Sequence, residues 1–356
     1  MKLFTVGPVA CYPEVLESVG QQMYSHRSKE YFDLHYETIK LLQDYISTKN
    51  EIFLFSSTGT GFMEASVRNC VRKSMLCCVN GSFGERFAEV AQANGITVER
   101  LEAPAGTPIT SNELEKVLTE KPNLEAVAIT HNETSLGLIN PLKDLALTAK
   151  KHDKLIFVDA VSSMGGTEIK ADEWGIDVCF SSSQKCFGVP PGLGIGSVSN
   201  KALNLSSTAK NKGWYFDFKV WEEDQKKGRG TPVTPAIPQI SGLHTALKMI
   251  ERKGGKNWYY DLYRQRNQKI RQGIEKLGLS TFPKPGFESP TVSCIKTPQG
   301  VEGGVIYEKM RTKGFELAEG YGPLKKSTFR IGNMGWVEMQ DIDIMLSSLG
   351  NVLKSI

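Results

Sequence analysis

Short apolar runs alternate with helix-length segments over the first half of the chain. Five runs are almost continuously hydrophobic, and they lie at residues 52–55, 75–79, 126–129, 155–158 and 178–180. Runs of this length are typical of strands that are buried on both faces, and the segments between them are long enough to form helices. The pattern predicts an α/β fold in which helices cover a mostly parallel sheet.

The pattern changes near residue 240. Two helical patterns, two strand-like pieces and a last helix follow, at residues 243–250 and 260–277, at 291–295 and 328–331, and from 340 onward. This order predicts a smaller α+β domain at the C-terminus. We therefore divide the chain into an N-terminal arm (1–20), a large domain (21–245) and a small C-terminal domain (246–356).

Composition narrows the class of protein. The 356 residues are 40% hydrophobic and 23% charged, and the net charge of +4 is too mild to indicate a nucleic-acid-binding surface. No segment approaches the roughly 20 apolar residues of a membrane span, and the N-terminus lacks the pattern of a signal peptide. The seven cysteines show no metal-ligand spacing and are expected to be reduced. We expect a cytoplasmic protein that binds no nucleic acid, membrane or metal.

Polar or glycine-containing segments follow all five apolar runs. They occupy residues 56–61, 80–86, 130–137, 159–163 and 181–185. In parallel α/β sheets, ligands bind outside the carboxyl ends of the strands. These segments are therefore expected to meet around a binding site.

Asp159 and Lys185 are the most informative residues in these segments. They lie 185 − 159 = 26 residues apart, a spacing that can bring both to the same edge of the sheet. A carboxylate can hold a protonated pyridine nitrogen and a lysine can form a Schiff base, and pyridoxal phosphate requires both contacts. Each residue also has a simpler interpretation, Asp159 as a helix cap and Lys185 as an exposed loop lysine.

Other strand ends carry groups that suit the same ligand. Residues 57–61 join a strand to a helix, where small residues and free N–H groups can bind a phosphate. They lack the Walker lysine, which disfavours a P-loop NTPase. Phe83 offers a ring for stacking, Thr134 a hydroxyl, and Arg330 a guanidinium for a carboxylate. Each of these residues also has a simpler explanation when taken singly. Residues 57–61 could form an ordinary turn and Phe83 a ring in the packing, while Thr134 could lie in a polar loop and Arg330 on the surface.

Together, these motifs resemble those of the class V (fold-type I) aminotransferases, and most of all the serine/alanine–glyoxylate (serine–pyruvate) aminotransferase group. The resemblance runs from Gly7-Pro8 to the C-terminus. It implies a large pyridoxal-phosphate-binding domain with a mostly parallel seven-stranded sheet, and a smaller C-terminal α+β domain. It also implies a homodimer with shared active sites.

The resemblance gives each motif a role at the cofactor. The implied contacts are Thr58, Gly59, Thr60 and Gln184 at the phosphate, Phe83 against the ring, Thr134 at the phenolic oxygen, Asp159 at the ring nitrogen and Lys185 as the Schiff-base lysine.

Two further residues are implied outside this set. Thr234 would reach the phosphate from the neighbouring subunit, and Arg330 would bind the α-carboxylate of the substrate. One departure concerns the residues before Thr234. Thr231 stands where several relatives have a tyrosine, and Arg229-Gly230 differs from their Tyr-His-His sequence. The substrate contacts made by the partner subunit are therefore expected to differ.

The implied function is a pyridoxal-phosphate-dependent aminotransferase that moves an amino group from alanine or serine to glyoxylate or pyruvate by a ping-pong mechanism. Another transaminase of the family remains an alternative, for example one acting on 2-aminoethylphosphonate or on a specialised biosynthetic amine.

A lyase or desulfurase is a second alternative. Desulfurase relatives have a histidine before the lysine and a mobile cysteine, whereas here Gln184 precedes Lys185 and Cys294 lies in an apolar run. A nucleotide-dependent oxidoreductase is disfavoured because no GxGxxG motif follows the first strand. A non-catalytic accessory subunit would have no use for Asp159, Lys185 and Arg330 together.

Overall fold

The computed structural model describes residues 1–356. The strands are β1 (Lys2–Leu3), β2 (Glu51–Phe55), β3 (Ser74–Val79), β4 (Thr97–Glu102), β5 (Ala126–Thr130), β6 (Asn132–Glu133), β7 (Leu138–Ile139), β8 (Leu155–Asp159), β9 (Val178–Ser182), β10 (Gly194–Val198), β11 (Val292–Lys296), β12 (Phe315–Glu316), β13 (Ala318–Glu319) and β14 (Thr328–Gly332). The α-helices are α1 (Pro13–Val19), α2 (Lys29–Tyr45), α3 (Gly59–Cys70), α4 (Ser82–Ala93), α5 (Ser111–Glu120), α6 (Leu142–Lys151), α7 (Ala171–Trp174), α8 (Asn200–Thr208), α9 (Phe218–Lys226), α10 (Ile237–Arg252), α11 (Gly255–Lys276), α12 (Gly303–Thr312) and α13 (Met339–Leu353).

A central sheet of seven strands organises the first part of the chain. Its order is β2-β10-β9-β8-β5-β3-β4, and only β10 runs antiparallel to its neighbours. The predicted mostly parallel, seven-stranded sheet is therefore confirmed. None of the helices is both long and apolar enough to cross a membrane.

Alternating side chains of each strand enter two separate cores. In β8, Ile156 and Val158 belong to one core, whereas Leu155 and Phe157 belong to the other. All four residues are at most 3% exposed. Burial on both faces explains why the five apolar runs in the sequence are continuous rather than alternating, and these runs form β2, β3, β5, β8 and β9.

Two strands of the sheet carry no such run. β4 lies at the edge of the sheet and most of its residues are partly exposed, so its sequence is mixed. β10 is rich in glycine, and a Cβ atom on Gly196 would lie 2.3 Å from the ring of Phe62 on α3. Because α3 packs so closely against β10, glycines stand where larger apolar residues would have made the strand recognisable in the sequence.

The C-terminal part of the chain has its own antiparallel sheet, in the order β11-β14-β13. Ile270, Ile331 and Leu349 form a third core there with other apolar side chains. Phe4 of the N-terminal arm joins this core, and β1 pairs with β12. The helical and strand-like patterns expected after residue 240 lie in α10, α11, β11, β14 and α13. The domain boundaries at residues 20 and 245 stay predictions.

Candidate active site

A cavity of about 330 Å³ lies at the carboxyl ends of the central strands. Nine of the ten site residues expected from the sequence line it: Thr58, Gly59, Thr60, Phe83, Thr134, Asp159, Gln184, Lys185 and Arg330. Thr234 is exposed in the loop before α10 and does not line the cavity. Its contact with the cofactor of a neighbouring subunit stays a prediction.

Asp159 is the last residue of β8, and it is 3% exposed. Its Oδ1 atom accepts a hydrogen bond from the backbone N–H of Val161 at 2.9 Å, so it caps a turn rather than a helix. Burial raises the pKa of Asp159 to about 7; the Val161 hydrogen bond opposes this change and the negative charge of Glu133 adds to it. A cation placed beside this carboxyl would favour its ionised form.

Lys185 lies in the turn that follows β9, with its amine in the cavity. The Nζ atom donates a hydrogen bond to the backbone carbonyl of Val6 at 2.6 Å. Burial lowers the pKa of Lys185 to about 8. The N-terminal arm approaches this amine so closely that a Cβ atom on Gly7 would lie 2.4 Å from Nζ, and the φ angle of Gly7 is +122°. Glycine is therefore required at this position.

The N-terminus of α3 forms one end of the cavity. Thr58 is the N-cap residue but makes no side-chain cap hydrogen bond, so its hydroxyl is available to a ligand. The N–H of Gly59 donates to Ser182 Oγ at 2.7 Å. The side-chain amide oxygen of Gln184 is buried without a hydrogen-bond partner. A helix N-terminus beside the free hydroxyl of Thr58 fits a phosphate, to which the side-chain NH2 group of Gln184 can also donate.

Two aromatic rings and two guanidinium groups form another part of the cavity wall. The rings of Phe83 and Tyr321 stack at 5.9 Å between centroids. Arg86 lies over Phe83 at 4.9 Å, and its Nη2 atom donates to the hydroxyl of Tyr321 at 2.9 Å. Arg330 lies 5.4 Å from the ring centroid of Tyr321. This wall offers an apolar face for a planar ring and positive charge for a carboxylate.

Arg330 is held in place by the backbone. Its Nε atom donates to the carbonyl of Glu319 at 2.9 Å and its Nη1 atom to the carbonyl of Thr134 at 3.1 Å. Neither Arg330 nor Arg86 forms an ion pair with a carboxylate, whereas seven of the ten other arginines do. A guanidinium fixed by two carbonyl groups is preorganised for an anionic ligand.

The hydroxyl of Thr134 belongs to a buried polar network. It lies 2.6 Å from Ser162 Oγ, which in turn accepts a hydrogen bond from Asn132 Nδ2 at 2.8 Å. Thr291 Oγ1, from the C-terminal part of the chain, donates to the carbonyl of Ser162 at 2.7 Å. The network fixes the position of the Thr134 hydroxyl at the cavity wall.

Eight further residues line the cavity that were not predicted individually. They are Val6, Gly7, Met63, Arg86, Asn132, Val161, Ser182 and Tyr321. Four of them, Arg86, Asn132, Val161 and Ser182, lie in the strand-end segments that were expected to meet there, and Arg86 also follows Phe83 by three residues on α4, a spacing that shares a helix face. Val6 and Tyr321 carried no local signal, since they reach the cavity from the N-terminal arm and from the loop after β13.

The assembled groups fit pyridoxal phosphate. The N-terminus of α3, the Thr58 hydroxyl and the side-chain NH2 group of Gln184 are donors that suit its phosphate, and Asp159 suits its ring nitrogen. Lys185 has a lowered pKa, so its amine is available as a nucleophile or base near neutral pH.

Comparison with known proteins supports the same conclusion. The family model described as aminotransferase class-V matches residues 11–322. The small subunit of a soluble hydrogenase from Synechococcus is 36% identical over 99% of this chain and 93% of that protein. Serine–glyoxylate aminotransferase from Methylorubrum extorquens is 33% identical, over 94% of this chain and 86% of that protein. The structure of alanine–glyoxylate aminotransferase from Nostoc superposes with a TM-score of 0.94 at 28% identity, over 99% of this chain and 94% of that one.

Proposed function

The chain belongs to the class-V aminotransferase family and is a pyridoxal-phosphate-dependent transaminase, and we propose that it moves the amino group of alanine or serine to glyoxylate or pyruvate. The observation that carries the proposal is the meeting of Asp159, Lys185 and Arg330 in one cavity. Together they provide a partner for the ring nitrogen, a base and a carboxylate-binding group. The names of the serine–glyoxylate and alanine–glyoxylate relatives support the choice of substrates.

Pyridoxal phosphate, when bound, supplies an electron sink that makes the Cα proton of an amino acid acidic. Asp159 would hold a proton on the ring nitrogen, because the positive charge there would in turn favour the ionised form of its buried carboxyl. Arg330 binds the α-carboxylate and orients the Cα–H bond. Lys185 removes the Cα proton through Nζ and later returns it, and a pKa of about 8 suits both tasks near neutral pH.

The size of the cavity supports a small substrate. Its volume of about 330 Å³ lies near the lower end of the range for ligand sites and must also contain the cofactor. Amino acids with at most about two heavy atoms in the side chain are therefore favoured over larger ones.

Two other functions receive less support. A desulfurase needs a reactive thiolate, but Cys294 is buried in β11 and burial raises its pKa to about 11. The name of the Synechococcus relative, the small subunit of a soluble hydrogenase, raises the possibility of a subunit without catalysis of its own, but such a subunit would have no need for a buried Asp159 in the same cavity as Lys185.

We also propose a homodimer with shared active sites that works in the cytoplasm. The exposure of Thr234 outside its own cavity supports a contact with a neighbouring copy. All seven cysteines are free thiols, which supports a reducing compartment.

Absorption spectroscopy tests the proposal. The purified protein should be yellow, L-alanine or L-serine should bleach the visible band, and glyoxylate or pyruvate should restore it. Lys185→Ala should bind the cofactor only non-covalently and turn over negligibly, whereas Lys201→Ala, which removes an exposed lysine paired with Asp153, should behave as wild type. A colourless protein that takes up no added cofactor, or normal turnover by the Lys185 variant, would overturn the assignment.

A further inference from the structure

Glu133 joins the two segments that carry Phe83 and Thr134. It is fully buried in β6, with 0% exposure, and directly precedes Thr134. One carboxylate oxygen accepts hydrogen bonds from the backbone N–H groups of Phe83 at 3.0 Å and Gly84 at 3.2 Å. The other accepts from the backbone N–H of Ser135 at 3.1 Å and from its hydroxyl at 2.5 Å. A single side chain thus ties together two walls of the cavity.

The bonds to Phe83 and Gly84 supply α4 with a cap that its own sequence lacks. The N-cap residue of α4 is Gly81, which has no side chain to accept from the first turn. Glu133 does so from 50 residues away along the chain, and the helix dipole favours a carboxylate at this end. A Cβ atom on Gly81 would lie 2.4 Å from Cγ of Glu133. The absence of a side chain on Gly81 therefore also leaves space for the carboxylate of Glu133.

Burying the carboxylate of Glu133 costs desolvation free energy, which its hydrogen bonds offset in part. Burial raises the pKa of Glu133, and the hydrogen bonds from Ser135, Gly84 and Phe83 oppose this effect. No lysine or arginine forms an ion pair with it. An apolar side chain would fill the same volume without the desolvation penalty, but it could not hold four donors in fixed directions.

We propose that Glu133 is a positioning residue of the active site. Its carboxylate ties the first turn of α4, which carries Phe83, to the backbone around Thr134, whose hydroxyl is oriented by Ser162. It thereby sets the spacing between these two cofactor contacts. Glu133 does not line the cavity, so it acts through these two residues. The inference rests on the proposed function, because it treats Phe83 and Thr134 as cofactor contacts.

Glu133→Gln tests this role with little change in shape. In this variant an NH2 group replaces one carboxylate oxygen. Two of the four donors then lose their acceptor, because an NH2 group cannot accept a hydrogen bond from them. Loss of two buried hydrogen bonds should weaken binding of pyridoxal phosphate to the apo protein by about tenfold or more. The visible circular dichroism band of the bound cofactor should also shrink, because the ring is held less uniformly. Glu133→Asp, which keeps both oxygens and the charge, should recover part of both signals.

Glu113→Gln provides a matched control. Glu113 accepts from the backbone N–H of Thr110 at 2.9 Å in the capping box of α5, away from the cavity. This variant removes the negative charge at a helix N-terminus but keeps an oxygen that can accept from Thr110, so it should lower the melting temperature slightly while cofactor affinity and the dichroism band stay unchanged. A general loss of helix stability would affect both variants in the same way.

The outcomes separate the two proposals. Wild-type affinity and an unchanged band in Glu133→Gln would overturn the positioning role and leave the proposed function intact. If that variant does not fold, Ser135→Ala removes one donor to the carboxylate, and an unchanged affinity and band would then overturn the role. Wild-type protein that binds no pyridoxal phosphate would overturn the proposed function itself.

Discussion

The lowered pKa of Lys185 makes its amine unusually reactive near neutral pH. Burial moves this pKa from 10.5 to about 8, a difference of 10.5 − 8 = about 2.5. At pH 7 the neutral fraction is then about 9%, against about 0.03% for an ordinary lysine, because each pH unit below the pKa lowers it about tenfold. Lys185 should therefore carry about 300 times as much neutral amine as an exposed lysine at this pH.

Competitive labelling with acetic anhydride measures this difference without using the catalytic reaction. The apo protein is labelled briefly between pH 6 and 10.5, and mass spectrometry quantifies acetylation at Lys185 and at the exposed Lys201. The neutral amine, which is the form that reacts, becomes more abundant as the pH rises to the pKa of the lysine. Labelling of Lys185 should therefore increase up to about pH 8 and then level off. Labelling of Lys201 should continue to rise. If Lys185 follows the profile of Lys201, the argument from burial is wrong.

Four substitutions test other parts of the site and the fold. Asp159→Asn keeps the shape of the side chain but removes its charge, so kcat should fall by about 100-fold or more, and a wild-type kcat would contradict the role of this carboxylate. Arg330→Ala should raise the KM for alanine by about 10- to 100-fold, since hydrogen bonds to charged groups contribute about 1.5–3 kcal/mol; an unchanged KM would place the substrate carboxylate elsewhere. Gly137→Ala should lower the free energy of unfolding by about 2–4 kcal/mol in urea titrations, because its φ is +61° and the new Cβ would lie 2.6 Å from the backbone nitrogen of Cys294. Gly286→Ala has a similar φ of +89° but open space around it, so it should cost only about 1–2 kcal/mol, and equal losses in the two variants would refute the contact argument.

The sequence allowed much of the central sheet to be predicted because its strands are buried on both faces. Such strands leave continuous apolar runs, and the residues after them must meet at one edge of the sheet. Asp159 and Lys185 follow two of these runs, which is why their meeting in one cavity could be expected. β4 and β10 escaped this reasoning, one because it is half exposed and the other because glycines replace its apolar side chains.

The rest of the site depends on contacts between distant parts of the chain. Tyr321 and Val6 reach the cavity from opposite ends of the sequence, and nothing in their neighbours distinguishes them from ordinary loop residues. Glu133 looks like any polar loop residue until the packing of β6 against α4 shows that it caps a helix 50 residues earlier. Thr234 cannot be judged from one chain, because its predicted contact lies across a subunit boundary.

The pairing of the N-terminal arm with the C-terminal part of the chain has a consequence for synthesis on the ribosome. Val6 and Gly7 form the cavity wall beside Lys185, yet the strand before them pairs with Phe315 and Glu316. The carbonyl of Phe4 also accepts from the N–H of Gly332 at 2.7 Å. The arm leaves the ribosome before the residues that it pairs with, and so it must wait for more than 300 later residues before it takes its place. Only a chain extended past residue 332 can close the cavity in this way, so tight binding of pyridoxal phosphate reports that the arm has paired with the C-terminal part of the chain.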